Sequence, residues 1–197
     1  MLKHPAITED RIRKALPSIE ALIYPQKAPV SIEAWHVGGE PVSLETALAA
    51  SYQPFAVGGA WGPLWDTTWF RVRGEVPSSW KGEETVLLMR LTDQGREGFT
   101  AEGLVYANGN VVRALNANRR EIEVSTAAQG GEAFEFYVEA AANFTDPGGN
   151  PAALAAGPIF RLAQAELASV NRAAFDYYYD FKIACELMSA LPQDSQR

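Results

Sequence analysis

Leu104-Val105-Tyr106-Ala107-Asn108-Gly109-Asn110-Val111-Val112-Arg113-Ala114-Leu115 is the stretch on which the fold turns. Two apolar runs flank an Asn-Gly pair. Both central positions of a type I′ turn need positive φ, and Asn-Gly supplies it, so the stretch predicts a tight antiparallel hairpin. Outward from it the same grammar repeats. Val30, Ile32, Ala34 and His36 alternate with Ser31, Glu33, Trp35 and Val37. Phe70 and Val72 alternate with Arg71 and Arg73, and Phe134, Phe136 and Val138 with Glu135, Tyr137 and Glu139. A period of two marks strands with one buried face. Thr85 to Leu91 is a nearly continuous apolar run, as in a strand buried on both faces. Gly38-Gly39, Gly58-Gly59 and Gly130-Gly131 separate the runs, and most of them have no helix-length segment between them. Residues 28–145 therefore predict an antiparallel sandwich rather than a parallel sheet.

Both flanks read as helical. In residues 1–27, Ile12, Leu16, Ile19 and Ile23 recur at helical spacing. Thr8 is the expected N-cap, with Glu9 and Asp10 favoured in the first turn by the helix dipole. Pro17 predicts a kink or two short helices. Residues 146–158, with Asp146-Pro147-Gly148-Gly149-Asn150-Pro151, read as a linker. Beyond them Phe160, Ala163, Leu167, Val170, Ala174, Tyr177, Phe181, Ala184, Met188 and Leu191 recur at alternating three and four. That heptad-like seam predicts one long C-terminal helix over residues 159–191, about 50 Å in length at the α-helical rise. Phe160, Leu167, Val170, Tyr177 and Phe181 are its expected partner-facing residues. The partner is the sandwich, a second copy or further chain.

The totals exclude several classes. Of 197 residues, 24 are acidic and 17 basic, for a net charge of -7. With the basic residues scattered, nucleic acid is not an expected partner. No apolar run approaches the roughly 18 residues of a membrane span, so no membrane is expected either. Met1-Leu2-Lys3-His4-Pro5 lacks the apolar stretch of a signal peptide, and the lone Cys185 fits a reducing compartment, so the cytoplasm is the expected location. With His4 and His36 as the only histidines and no His-x-x-x-His or Cys-x-x-Cys spacing, no metal site is expected. No Gly-x-Ser-x-Gly elbow occurs, and Cys185 reads as a small hydrophobe on the seam-bearing helix. Asp93, Glu97 and Glu102 read as a solvated acidic loop rather than as paired glycosidase carboxylates.

The densest aromatic segment is Trp61-Gly62-Pro63-Leu64-Trp65-Asp66-Thr67-Thr68-Trp69-Phe70. Trp61, Trp65, Trp69 and Phe70 are candidates for core or domain-interface packing. On a strand, Trp69 and Phe70 point to opposite faces, which predicts one in the core and the other over an edge or interface. A sugar-stacking platform stays open.

The order of these pieces resembles the N-terminal, non-catalytic region of the cytosolic and vacuolar type of α-mannosidase in glycoside hydrolase family 38. The resemblance runs from Thr8-Glu9-Asp10-Arg11-Ile12 through Trp61-Gly62-Pro63, Thr68-Trp69-Phe70-Arg71-Val72 and Val76-Pro77. It continues through Glu102-Gly103-Leu104-Val105-Tyr106, Asn118-Arg119-Arg120-Glu121-Ile122 and Tyr137-Val138-Glu139-Ala140, to Phe160-Arg161-Leu162-Ala163 and Tyr178-Tyr179-Asp180-Phe181-Lys182. It implies a mainly β fold with flanking helices: a jelly-roll-like antiparallel β-sandwich with a short N-terminal and a long C-terminal helix. It also implies the front end of a longer enzyme whose catalytic domain uses zinc, or another divalent metal, to hydrolyse α-mannosides with retention. The His-x-Asp ligand segment and nucleophilic Asp of that domain have no match here, so no catalytic residue, metal ligand or cofactor is expected in this chain. The implied partners are the chain's own catalytic domain, further copies of the chain, and α-mannoside sugars. The alternatives are a free-standing carbohydrate-binding sandwich and a helix-mediated oligomerisation module.

Overall fold

The computed structural model describes residues 5–38, 40–93, 101–143 and 160–191. The expected linker at 146–158 lies outside these residues, as does Glu97. The chain divides into two compact units, Ala28–Ala168 and Met1–Lys27 with Ser169–Arg197.

In chain order the elements are α1 (Pro5–Glu20), β1 (Lys27–Ala28), β2 (Ser31–Val37), α2 (Leu44–Leu48), β3 (Gln53–Pro54) and β4 (Ala60–Trp61). There follow β5 (Thr67–Glu75), β6 (Glu84–Asp93), β7 (Ala101–Ala107), β8 (Asn110–Leu115), β9 (Glu121–Ser125), β10 (Ala133–Ala142), β11 (Phe160–Val170) and α3 (Arg172–Ala190). Among the described residues one sheet has six strands in the order β3-β2-β5-β10-β7-β8. The other has five, in the order β1-β11-β6-β9 with β4 also on β11. The β2–β5, β5–β10, β10–β7, β7–β8 and β6–β9 pairs are antiparallel. The Asn-Gly hairpin forms as expected: Asn108 and Gly109 hold φ of 50° and 79° between β7 and β8.

The main core lies between the sheets. Phe70 and Val72 of β5 and Val138 and Ala140 of β10 meet Leu87 and Met89 of β6 and Phe160 and Leu162 of β11. Residues 85–89 are all buried, as a strand covered on both faces requires. A second cluster covers the other face of the six-stranded sheet, with Val37, Ala47, Tyr52 and Trp69 at its centre. The short α2 contributes Ala47, and its first turn is capped by the Ser43 hydroxyl, which accepts from the Thr46 N–H. A third cluster joins Val76, Trp80, Ala128 and Leu167. Gly130 lets the chain pass there: its φ is 79°, and a Cβ would sit 2.8 Å from the Ser78 carbonyl oxygen.

In the other unit α1 and α3 pack on each other. Within that unit the Asn171 N–H donates to the Ile23 carbonyl at 2.8 Å, and the Ser169 N–H to the Gln26 carbonyl at 3.0 Å. The Asn171 side chain then accepts from the Ala174 N–H at 3.1 Å and starts α3.

Three local expectations are corrected. The helix expected from residue 159 is a strand up to Val170, and only Arg172–Ala190 is helical. On that strand Ala163, a seam position, is exposed, while Leu162, Ala165 and Ala168 off the seam are buried. A run buried first on one face and then on both mimics a three-four seam. Thr8 does not cap α1, which begins at Pro5, a residue suited to a first turn because it has no N–H to leave unpaired. Pro17 does not split the helix; it lies in the last turn, and the Ala21 N–H still reaches its carbonyl at 3.1 Å.

Candidate functional site

The aromatic segment reaches three environments. Trp61 on β4 is buried beside Phe160, with ring centroids 5.0 Å apart, and edge-on to Phe70 at 6.0 Å. Phe70 also meets Phe55 at 5.3 Å. Trp69, fully buried, lies on the opposite face and tilts against Tyr106 at 5.4 Å. Thus Trp69 and Phe70 are both core residues, and the expectation that one would cover an edge or interface is corrected: the six-stranded sheet carries a hydrophobic layer on each side.

Trp65 differs from the other three. It is 65% exposed and holds φ of 68°. Its N–H donates to the Ala142 carbonyl at 2.8 Å, the Asp66 N–H to the Pro63 carbonyl at 3.1 Å, and the Ala142 N–H to the Asp66 carbonyl at 3.1 Å. These bonds fasten the loop between β4 and β5 to the end of β10. The Asp66 carboxylate lies 2.7 Å from His36 Nε2. His36 pairs with Thr68 in the β2–β5 register, which brings Asp66 just beyond that pair to the same end of the sheet. The sequence reading missed this contact because it depends on which strands pair.

Around Trp69 the layer is polar at its rim. Glu33 accepts from Arg71 Nε at 2.8 Å and from Arg73 at 2.7 Å. The hydrogen bond from Arg71 comes first among the causes that hold the Glu33 carboxyl below the ordinary carboxylate range. The Arg71 guanidinium also lies over the Tyr52 ring, 5.1 Å from its centroid. Burial raises the Tyr52 hydroxyl well above the ordinary tyrosine value. Tyr106 is raised as well, by burial and by Glu139, whose carboxylate accepts its hydroxyl at 3.2 Å. Glu33 with its two arginines braces β2 against β5, and Tyr106 with Glu139 braces β7 against β10.

A cavity of about 730 Å³ opens beside this layer, lined among others by Tyr106, Asn108, Arg113, Glu123, Phe134 and Tyr137. It exists because β7 turns back at Asn108. Residues 133–136 of β10 consequently pair with β5 but not with β7. None of Trp61, Trp65, Trp69 and Phe70 lines it.

The expected seam is divided between the elements. Phe160 and Leu167 are buried in the sandwich, and Val170 is buried at the end of β11. On α3 the covered stripe runs through the half-buried Ala174, Tyr178, Phe181 and Met188 and the buried Cys185. A second apolar stripe faces outward. Tyr177, Ile183 and Leu187 are 57%, 61% and 58% exposed, and Ala184 and Leu191 extend it. Tyr177 stacks on Phe181 at 5.8 Å.

Among the described residues no group of three His, Cys, Asp or Glu side chains is placed to hold a metal ion. Asp93 ends β6 and Glu102 lies on β7. No described helix is long and apolar enough to cross a membrane.

Comparison with known proteins bears on the whole chain. The family model described as "Alpha-mannosidase, jelly roll domain" matches residues 28–168. Alpha-mannosidase 2C1 of Homo sapiens is 26% identical over 210 residues, and alpha-mannosidase G of Dictyostelium discoideum is 27% identical over 215. Alpha-mannosidase 2C1 of Mus musculus is 26% identical over 209. Each comparison covers 100% of this chain and 19% of the relative, so the chain spans about a fifth of the length of these proteins.

Proposed function

Because the chain belongs to the α-mannosidase jelly roll domain family, we propose that it is the sandwich module of an enzyme that hydrolyses α-mannosides with retention, the chemistry being carried by a catalytic domain elsewhere in the longer protein. The observation that carries this reading is the family match over residues 28–168 in a chain that spans 19% of its relatives. The zinc or other divalent metal of such chemistry belongs to that catalytic domain. The module acts through packing: it docks on the catalytic domain and supports assembly. We place the protein in the cytoplasm, where a lone, buried, free thiol such as Cys185 persists.

The outward stripe of α3 supports the docking. Isolated exposed apolar residues need no explanation, but several at helical spacing on one element mark a surface that is covered in the assembly. The remaining four-fifths of the enzyme is the proposed cover. Homo-oligomerisation through α3 is the second reading, favoured by the same stripe.

Two measurements test the proposal. The 197-residue chain should not hydrolyse an aryl α-mannoside, with or without zinc, and metal-dependent turnover by pure material overturns it. Leu187→Asp in the full-length enzyme should loosen the module from the catalytic domain, read as earlier proteolytic release. A variant that instead stays attached but halves the oligomer favours the second reading.

A further inference from the structure

We propose that Trp65, Asp66 and His36 form a shallow binding site for one hexopyranose ring, an α-mannoside. The choice of mannose rests on the proposed function; the sugar chemistry rests on an exposed indole followed in the chain by a carboxylate that His36 holds.

The first argument is conformational. A bulky side chain at positive φ is disfavoured, and glycine meets that conformation without strain. Nearby, Gly58 and Gly62 take φ of 85° and 102° in the expected way. At 68° a tryptophan stands instead, 65% exposed. Its ring contributes little to the core, and its backbone would be better served by glycine. A residue that costs the fold something and returns little packing points to a role for its ring in solvent.

The second argument is rigidity. The three backbone hydrogen bonds around Trp65, Asp66 and Ala142 hold the loop in place. A ring presented from a fixed backbone loses little conformational freedom on binding.

The third argument is chemical complementarity. A pyranose has a face of C–H groups and a rim of hydroxyls. The indole face suits the first, because its negative quadrupole attracts the weakly positive C–H groups. The second needs acceptors and donors beside the ring. Asp66 is the next residue, and its carboxylate is held by His36 Nε2 at 2.7 Å. The other carboxylate oxygen can accept from one hydroxyl, and the remaining imidazole nitrogen can bond a neighbour.

The test is a titration of the 197-residue chain with methyl α-D-mannopyranoside, followed by the tryptophan indole N–H resonances. The Trp65 signal is identified by its loss in Trp65→Gly. The expected result is a saturable shift of that signal in the millimolar range. Asp66→Asn should weaken binding about tenfold, the size of one lost charge-assisted hydrogen bond. Trp65→Gly should abolish binding yet melt at the same or a higher temperature. Trp65→Asn, which also tolerates positive φ, provides a second ring-free variant. An unmoved Trp65 signal, binding that survives in Trp65→Gly and Trp65→Asn, or melting lowered by several degrees in both overturns the proposal. A shift produced by a β-galactoside but not by the mannoside overturns the choice of mannose. The mannosidase reading fails separately, if the full-length enzyme does not turn over aryl α-mannosides.

Discussion

Trp69 and Phe70 are consecutive on β5, both are wholly buried, and they belong to different cores. Phe70 fills the space between the sheets, while Trp69 anchors an aromatic layer on the opposite face with Tyr52, Tyr106 and Tyr137. Truncating either should be costly. Trp69→Ala and Phe70→Ala are each expected to destabilise by about 3–5 kcal/mol, the range for emptying a large aromatic site. Urea unfolding of the two variants checks this. A near-zero cost for Trp69→Ala would mean that the outer layer is decoration.

Glu33 links stability to pH. Its folded carboxyl titrates below the ordinary range, so the unfolded chain takes up the proton first as pH falls. The stabilisation is therefore fully present above the unfolded value of about 4.3 and is lost as pH falls through the lower, folded value. The melting-temperature gap between the wild type and Glu33→Gln should be steady near neutrality and should close below about pH 4. A gap that widens in acid would reverse the assignment.

The Asn108-Gly109 turn allows a graded test. No atom lies within 4 Å of a Cβ added at Gly109, so a substitution there meets no steric obstacle, only a φ of 79°. Gly109→Ala should cost about 1 kcal/mol through backbone conformation alone. A loss of several kcal/mol in chemical denaturation would show that packing is involved.

Leu187 is exposed on α3, so Leu187→Asp should change the stability of the 197-residue chain by no more than about 0.5 kcal/mol. Its effect should be confined to association in the longer enzyme. Thermal unfolding of the short chain separates the two. Val170 makes a poor probe of the same surface, because it is buried at the end of β11.

Much of the sandwich could be read from residues alone. The Asn-Gly pair dictates its turn because few other residues tolerate two successive positive φ values. Alternation on β2, β5 and β10 shows because Ile32 and Ala34, Phe70 and Val72, and Phe136 and Val138 face the main core, and Thr85–Met89 stands out as a run because both faces are covered. The order of short motifs also carried the family resemblance that residues 28–168 bear out.

Phe160-Arg161-Leu162-Ala163-Gln164-Ala165-Glu166-Leu167-Ala168 was beyond such reading. Leu, Ala, Gln and Glu are good helix formers, and local preference favours a helix there. Its neighbours β1, β4 and β6 make it a strand, and they come from positions far apart in the chain. The pairing of His36 with Asp66, thirty residues apart, has the same origin. What the sequence determined by itself is what local sterics and face-by-face patterning can encode: the turns and the alternation that turns one face of each strand to the main core. Which strands pair, which aromatic lies in which core, and which tryptophan is left in solvent were decided only in the tertiary structure, because backbone pairing and close packing act between segments that carry no local record of each other.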